Sequence, residues 1–311
     1  MKPKSLAFSI INCSLLFFIF AIGLTVDESV AKELYSPYLK IATVNSSVSD
    51  VATQVKDALA GGNFDVIGEY NPEGKAGLHV IVYTRKDLQD ITLTVEDRGF
   101  LASVLKVGLQ ENKDGVDVSM LNPEYLFRGY LMKKYPGLED QLKKVDADAK
   151  EALKKVGGEF TPFGGKLSAK RLEHYHYKIT MEYFDEPVSL RKFDSFEQGV
   201  ETIRKNLEAK VGGAFSVYSL VRDDAKTALF GIGLGDKETG ESYFLPRIGP
   251  KHLAALPYEI ILSDTDATML HGRFRIALHW PELSMFFGEY SFAKIMSTPK
   301  AIEKTMKEVT N

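Results

Sequence analysis

Apolar residues recur at helical spacing in two separate segments of the chain. They lie four residues apart in each segment: Val51, Val55 and Leu59 in the first, and Ile203, Leu207 and Val211 in the second. This spacing puts the apolar side chains on one face and predicts two amphipathic helices. Each segment ends in a glycine pair, Gly61-Gly62 or Gly212-Gly213, and glycine readily adopts the left-handed conformation that closes a helix. A strand-like run follows each pair, so the sequence predicts a helix followed by a strand twice.

Three further elements follow each predicted helix in the same order. The first is a strand, at 79–84 in the first segment and at 230–235 in the second. The next is a short helix, around residue 88 and around 252–255. The last is a hairpin, at 101–121 and at 258–278. The first hairpin is predicted to turn through residues 111–115 and the second through His271-Gly272, because glycine between alternating runs is a strong hairpin signal. The hydrophobic pattern therefore predicts an internal repeat.

The repeated order predicts the fold class α+β, with two similar domains related as an internal pseudo-dimer. Each domain is expected to be a small antiparallel-rich sheet packed with helices, opened by a strand at 39–44 or at 176–184. An apolar stripe through Leu142, Val145 and Ala149 predicts a helix between them. The predicted organisation is a signal peptide or N-terminal anchor at 1–31, a first repeat domain at 36–135, a helical linker at 136–173 and a second repeat domain at 174–311.

Three stretches resemble a known family or proteins that carry its domains. The Phe-x-Val that follows the first glycine pair, and the hairpin running into Asn-Pro-x-Tyr-Leu (122–126), are similar to the bacterial domain-of-unknown-function family 302. The stretch HYHYKITMEYFDEPVSL (174–190) resembles the centre of longer exported proteins that carry such domains. The resemblance implies a small α+β domain, often dimeric, with no established activity. It supplies no catalytic residues, and a tandem copy would pair the two halves as a pseudo-dimer.

The N-terminal pattern is typical of an exported protein. Lys2 and Lys4 precede a stretch without charged residues from Leu6 to Val26, and Ser29-Val30-Ala31 offers the small residues of a cleavage site after Ala31. The expected location is periplasmic or secreted. The apolar stretch is long, so the alternative is an uncleaved anchor in the inner membrane with the chain facing the periplasm. Contact with a membrane is expected only through this segment, if it stays uncleaved.

Composition excludes several classes of function. Cys13 is the only cysteine and lies in the N-terminal segment, so the mature chain has no thiol for a disulfide, a cysteine-zinc site or a nucleophile. The formal net charge is −3, from 39 basic and 42 acidic residues, which argues against a nucleic-acid partner. No nucleophile elbow or phosphate-binding motif is present. The sequence predicts no cofactor other than a possible metal ion.

His174 and His176 are the candidate metal ligands. Residues two apart point to the same face of a strand, and two neutral imidazoles can share a zinc, copper or nickel ion. A third ligand would come from Glu182 or Asp185, or from another histidine that folding brings near: His79, His252, His271 or His279. The alternative is a strand rich in tyrosine and histidine that only packs, because two ligands do not make a metal site.

The stretch SMLNPEYLFRGYLM (119–132) supplies the candidate ligand-binding residues Asn122, Tyr125 and Arg128, to which we add Tyr175 and Tyr177. The alternative is helix initiation, since asparagine caps helices and proline is favoured at the first helical position. Matching Pro123 with Pro281 aligns this stretch with ALHWPELSMFFGEY (277–290), which is apolar where the first copy is polar. A site in this region is therefore expected to differ between the copies.

These observations predict an exported, non-enzymatic protein that binds an unknown small molecule or partner protein. One alternative is a metal-dependent enzyme that uses His174 and His176. Another is a membrane-anchored assembly factor held by residues 6–26.

Overall fold

The computed structural model describes residues 33–96, 98–176, 182–183 and 186–311. Their secondary structure is mixed, with helices packed on antiparallel sheets. Within these ranges no helix has both the length and the apolar character needed to cross a membrane. The predicted signal peptide lies outside the described residues.

The first half of the chain forms a six-stranded sheet. Its elements in chain order are β1 (Leu34–Tyr35), β2 (Tyr38–Val44), α1 (Val48–Gly61), β3 (Asp65–Tyr70), β4 (Leu78–Thr84), α2 (Lys86–Leu93), β5 (Leu105–Asn112), β6 (Gly115–Leu121), α3 (Pro123–Leu131), α4 (Glu139–Leu153), β7 (Thr161–Phe163), β8 (Leu167–Ser168) and α5 (Ala169–Glu173). The strand order is β3-β4-β5-β6-β2-β7, while β1 pairs with β8 separately. The turn between β5 and β6 is the first predicted hairpin, which is confirmed.

The second half forms a five-stranded sheet. Its elements are β9 (Val188–Lys192), α6 (Phe196–Glu208), β10 (Ala214–Arg222), β11 (Thr227–Leu234), α7 (Glu241–Ile248), β12 (Tyr258–Ser263), β13 (Asp266–Met269), α8 (Gly272–His279) and α9 (Thr298–Thr310). The strand order is β10-β11-β12-β13-β9. The strand that precedes the long helix therefore lies beside the second hairpin strand in both sheets, next to β6 in one and next to β13 in the other.

The two long helices bury the apolar faces that the sequence predicts, except that α6 ends at Glu208, before Val211. The Ser47 hydroxyl accepts a hydrogen bond from the Asp50 amide at 3.1 Å, and the Ser195 hydroxyl accepts one from the Gln198 amide at 3.1 Å. The predicted glycine caps are only partly right. The left-handed residue at the end of α1 is Asn63, with φ 61°, and Lys210 adopts φ 54° before the second glycine pair.

Two predictions for the second half are wrong. The hairpin turns at residues 264–265, between β12 and β13, and His271 is instead the N-cap of α8. Residues 272–279 are helical, so the match between Pro123 and Pro281 is also wrong: Trp280 follows a helix, whereas Asn122 precedes one.

In the predicted strand 176–184, His176, Glu182 and Tyr183 are not in a strand, and the other residues lie outside the described part of the chain. The strand ahead of α6 is β9.

The predicted linker packs on the first sheet. Its helix α4 contacts α1, α2 and α3, and β7 extends the first sheet beside β2. The two sheets contact each other directly through β3 and β10, and also through short 3-10 turns. Residues 250–255 of the second half pack on β4, β5 and β6, and residues 99–103 of the first half pack on β11 and β12. Each half therefore covers part of the other half's sheet.

Candidate functional site

Arg128 lies in a buried ion network rather than an open pocket. Its guanidinium is 2.9 Å from the carboxylates of Glu124 and Glu139 and also pairs with Glu173. Its carbon lies 4.2 Å from the centre of the Tyr135 ring. Three carboxylates hold one arginine, so the network ties α3 to α4 and α5.

Three more of the predicted ligand-binding residues are also buried. The Asn122 side-chain amide donates to the Ser36 carbonyl at 2.8 Å and makes no capping bond. The Tyr125 hydroxyl donates to the Leu278 carbonyl at 2.7 Å, which links the two halves. Tyr175 packs against the edge of Phe274 at 5.5 Å, and Tyr177 lies outside the described residues. The residues of this predicted site that the structure describes are therefore in contact with other parts of the chain and do not line a cleft.

The two candidate metal ligands have different surroundings. His174 is exposed directly after α5, whereas the His176 ring stacks on Tyr183 at 3.7 Å. Glu182 lies 3.3 Å from His271. Asp185, the other suggested ligand, lies outside the described residues. Among the residues that the structure describes, no three His, Cys, Asp or Glu side chains come together in a group able to hold a metal ion.

A set of buried polar side chains lies where the two halves meet, and we call it the buried polar cluster. Its members are Tyr38, Lys106, Tyr130, His252, Tyr258, Glu259, Arg275 and His279. Lys106 of β5 pairs with Glu259 of β12, and the Arg275 Nε lies 3.8 Å from the same carboxylate. The guanidinium also donates to the Pro257 carbonyl at 2.9 Å and lies 3.7 Å over the Tyr258 ring.

The cluster has one more cation than anion. Lys106, Arg275 and Glu259 are only 3%, 2% and 6% exposed, so their charges are poorly solvated. Burial lowers the pKa of the Lys106 ammonium, and Arg275 lowers it further, while Glu259 opposes the shift. A buried carboxylate shared by two cations is therefore essential to the charge balance at this position.

The histidines complete the cluster on its other side. The Tyr130 hydroxyl is 2.9 Å from His279 Nε2, and the Tyr38 hydroxyl donates to the His279 carbonyl at 2.9 Å. Burial lowers the pKa of His279, and the charges of Arg275 and Lys106 add to this effect, so the ring is neutral. His252 Nδ1 and His279 Nδ1 are among the buried nitrogen atoms of the cluster without a hydrogen-bond partner. Such an atom costs about 1–3 kcal/mol unless a water or ligand satisfies it.

A cleft of about 230 Å³ opens beside this cluster, and we call it the junction cleft. Its lining residues come from both halves: Lys40, Gln110, Asp117, Ser119, Thr161, Phe163, Lys251 and Leu253. The Phe163 ring stacks on Tyr38 at 5.3 Å and lies 6.1 Å from the His252 ring. Phe163 therefore forms a wall between the cleft and the buried polar cluster.

The junction cleft carries a positive charge. Lys40 pairs with Asp117 at 2.9 Å, and Thr43 donates to the same carboxylate at 2.6 Å. Partial burial tends to raise the pKa of Asp117, but the hydrogen bonds from Thr43 and Lys40 outweigh it and hold that pKa below its ordinary value. The exposed Lys251 adds a second cation. The lining residues therefore include two lysines and one aspartate, which leaves one net positive charge for an anionic ligand.

Comparison with known proteins gives little further information. No family model and no curated protein match the chain. Among solved structures, it is similar to the crystal structure of an uncharacterized conserved protein DUF302 from Bacillus stearothermophilus. The identity is 11%, the match covers 40% of this chain and 99% of that chain, and the TM-score is 0.33. A likeness at this level carries no argument about the family or function of the chain.

Proposed function

We propose that the chain is an exported, non-enzymatic protein that binds a small anionic molecule in the junction cleft. The observation that carries the proposal is the cleft itself, in which Phe163 and Leu253 provide apolar walls and Lys251 provides a cation. Ligand sites often combine apolar walls with a few polar groups and often lie between domains. The buried polar cluster lies behind Phe163, which separates it from the cleft.

We infer that the two halves are tandem copies that pair as a pseudo-dimer. The shared order of elements and of strands supports this, as do the reciprocal contacts of residues 99–103 and 250–255. Lys106 and Glu259 are the second residues of the corresponding strands β5 and β12, and they face each other as residues beside a two-fold axis do. In a duplicated chain, the two positions related by the axis can carry opposite charges. In a homodimer, both positions carry the same residue.

Export rests on the N-terminal pattern of Lys2, Lys4, the uncharged stretch and Ser29-Val30-Ala31. We expect the protein recovered from the periplasm of a bacterial host to begin at Lys32. Intact-mass measurement tests this, because a mass that retains residues 1–31 on membrane-bound protein would support the anchor instead.

The size and charge of the junction cleft point to an aromatic monocarboxylate. Its volume of about 230 Å³ is below the range of about 300–1,000 Å³ that drug-sized ligands occupy. An aromatic ring can stack on Phe163, and a carboxylate can pair with Lys251. Phenylacetate has both groups and serves as the probe.

Calorimetric titration of the purified protein with phenylacetate tests this proposal. We expect binding, with an affinity at least about tenfold higher than for the uncharged phenylacetamide, which corresponds to about 1.4 kcal/mol. Lys251→Ala should remove most of that preference because it removes the exposed cation of the cleft lining. Lys170→Ala, which changes an exposed lysine outside the cleft, is the matched control. Equal affinity for the acid and the amide, or no binding of either, would contradict the proposal.

A further inference from the structure

A second and larger groove lies in the second half, away from the junction cleft. It has a volume of about 710 Å³ and runs between the start of α8, residues 292–297 and the start of α9. We call it the methionine groove. Apolar side chains dominate its walls, and they include Val188, Met269, Met285, Phe292, Met296 and Pro299. Methionine is flexible and polarisable, so walls of this kind accept apolar chains of varied shape. The volume is within the range of small-molecule sites.

The rim of the methionine groove is basic. Arg273, Lys294 and Lys300 line the groove together with the carboxylate of Glu303. That carboxylate already pairs with Lys307 at 2.6 Å. Lys300 is exposed, and Arg273 lies 3.7 Å from Glu182. An excess of cations beside an apolar channel is complementary to a molecule with an anionic head and an apolar tail.

The segment 280–291 borders this groove and has no counterpart in the first half. After α3 a 3-10 turn begins at once at Met132, whereas residues 280–291 separate α8 from the 3-10 turn Phe292–Ile295. The shared fold therefore does not require this segment. It carries Phe286 and Phe287, which are 62% and 82% exposed. Adjacent exposed aromatic side chains are typical of surfaces that contact an apolar partner.

We propose that the methionine groove binds the acyl chain of an anionic amphiphile, with the anionic head at Arg273 and Lys300. The same chemistry is offered by a free fatty acid and by an anionic phospholipid in a membrane. In the second case Phe286 and Phe287 enter the lipid surface beside the groove. The proposal concerns a site separate from the junction cleft and does not depend on ligand binding there.

The single tryptophan makes the proposal testable in the unmodified protein. Trp280 is buried, and it lines a small cavity together with Arg273, Met285 and Phe292, three residues that also line the methionine groove. A bromine atom on a bound acyl chain quenches the fluorescence of a nearby indole. Dibromostearate should therefore quench Trp280 saturably, unbrominated stearate should reverse the quenching by competition, and phenylacetate should leave it unchanged.

Two charge reversals on α9 separate a specific site from general attraction. Lys300→Glu should weaken dibromostearate binding at least about tenfold, since it places a carboxylate at the anionic head. Lys304→Glu makes the same change one turn further along α9, outside the groove lining, and should leave the affinity within about twofold of the unmodified protein. Equal loss in both variants, or no saturable quenching, would overturn the proposal.

Sedimentation with phosphatidylglycerol vesicles distinguishes the two sources of the amphiphile. Co-sedimentation that is lost in the Phe286→Ser/Phe287→Ser double variant, with dibromostearate quenching retained, supports uptake from a membrane. Quenching without co-sedimentation supports a free fatty acid as the ligand. The absence of both quenching and co-sedimentation would exclude an acyl-chain site in the methionine groove.

Discussion

Glu259→Gln is expected to lower the free energy of unfolding by about 3–5 kcal/mol, because it leaves two buried cations without their shared carboxylate. Lys106 pairs with this carboxylate, and Arg275 lies 3.8 Å from it. Both cations are nearly inaccessible to water, so solvent cannot replace the lost anion. Urea unfolding followed by the fluorescence of Trp280 measures the change.

Lys106→Met should have a much smaller effect, within about 1 kcal/mol of the unmodified protein. The substitution brings the net charge of the three side chains from one positive to zero, and Arg275 keeps Glu259 as its partner. Methionine also follows the path of the lysine stem without a large loss of packing. The difference in the free energy of unfolding between the two variants tests whether the three side chains carry an excess positive charge. Equal destabilisation by both would show that the cluster has no excess of positive charge.

Stability should also fall by about 3 kcal/mol as the pH rises from about 4.5 to about 7, owing to Glu241 alone. Burial raises the pKa of Glu241 from 4.5 to about 7, although hydrogen bonds from the Tyr70 hydroxyl and the Leu234 amide partly offset it. The Tyr70 hydroxyl donates at 2.8 Å. The folded state therefore holds a proton that the unfolded state has released between these two pH values, so rising pH favours unfolding. Above about pH 7 both states are ionised and the contribution is constant.

Glu241→Gln should remove this dependence and should be more stable than the unmodified protein at pH 8. The measurement is the urea midpoint at several pH values from 4 to 8 for both proteins, so that groups common to both cancel in the difference. Glu201→Gln changes an exposed glutamate on α6 and is the control. Parallel pH curves for the Glu241 variant and the unmodified protein would contradict a raised pKa.

The sequence predicts most of the elements because their causes are local. Helices α1 and α6 have one apolar face and a serine cap, and the β5–β6 hairpin has a turn with glycine between alternating strands. The second hairpin was mispredicted for a physical reason. Nearly every residue of α8 is buried, so it shows no polar face, and its apolar positions fit a strand as well as a helix.

The candidate site could not be predicted from spacing. The junction cleft joins Lys40 with Lys251 and Leu253. These residues are far apart in the sequence, and only the packing of the two sheets brings them together. The buried polar cluster is equally non-local, since Lys106 meets Glu259 across the junction. The sequence suggests Arg128 as a pocket residue because it follows Asn122 and Tyr125 in one stretch with several polar side chains. Its partners Glu139 and Glu173 lie in later helices, and their carboxylates pair with its guanidinium.

Nuclear magnetic resonance of the purified protein with phenylacetate tests ligand binding at the junction of the two halves most directly. We expect the backbone amide signals of Gln110, Ser119 and Leu253 to shift together with one affinity, because these residues line the junction cleft from both halves. The signals of Met285 and Met296 in the methionine groove should stay in place. Shifts confined to one half or to the groove, or no shifts at all, would contradict a ligand site between the halves.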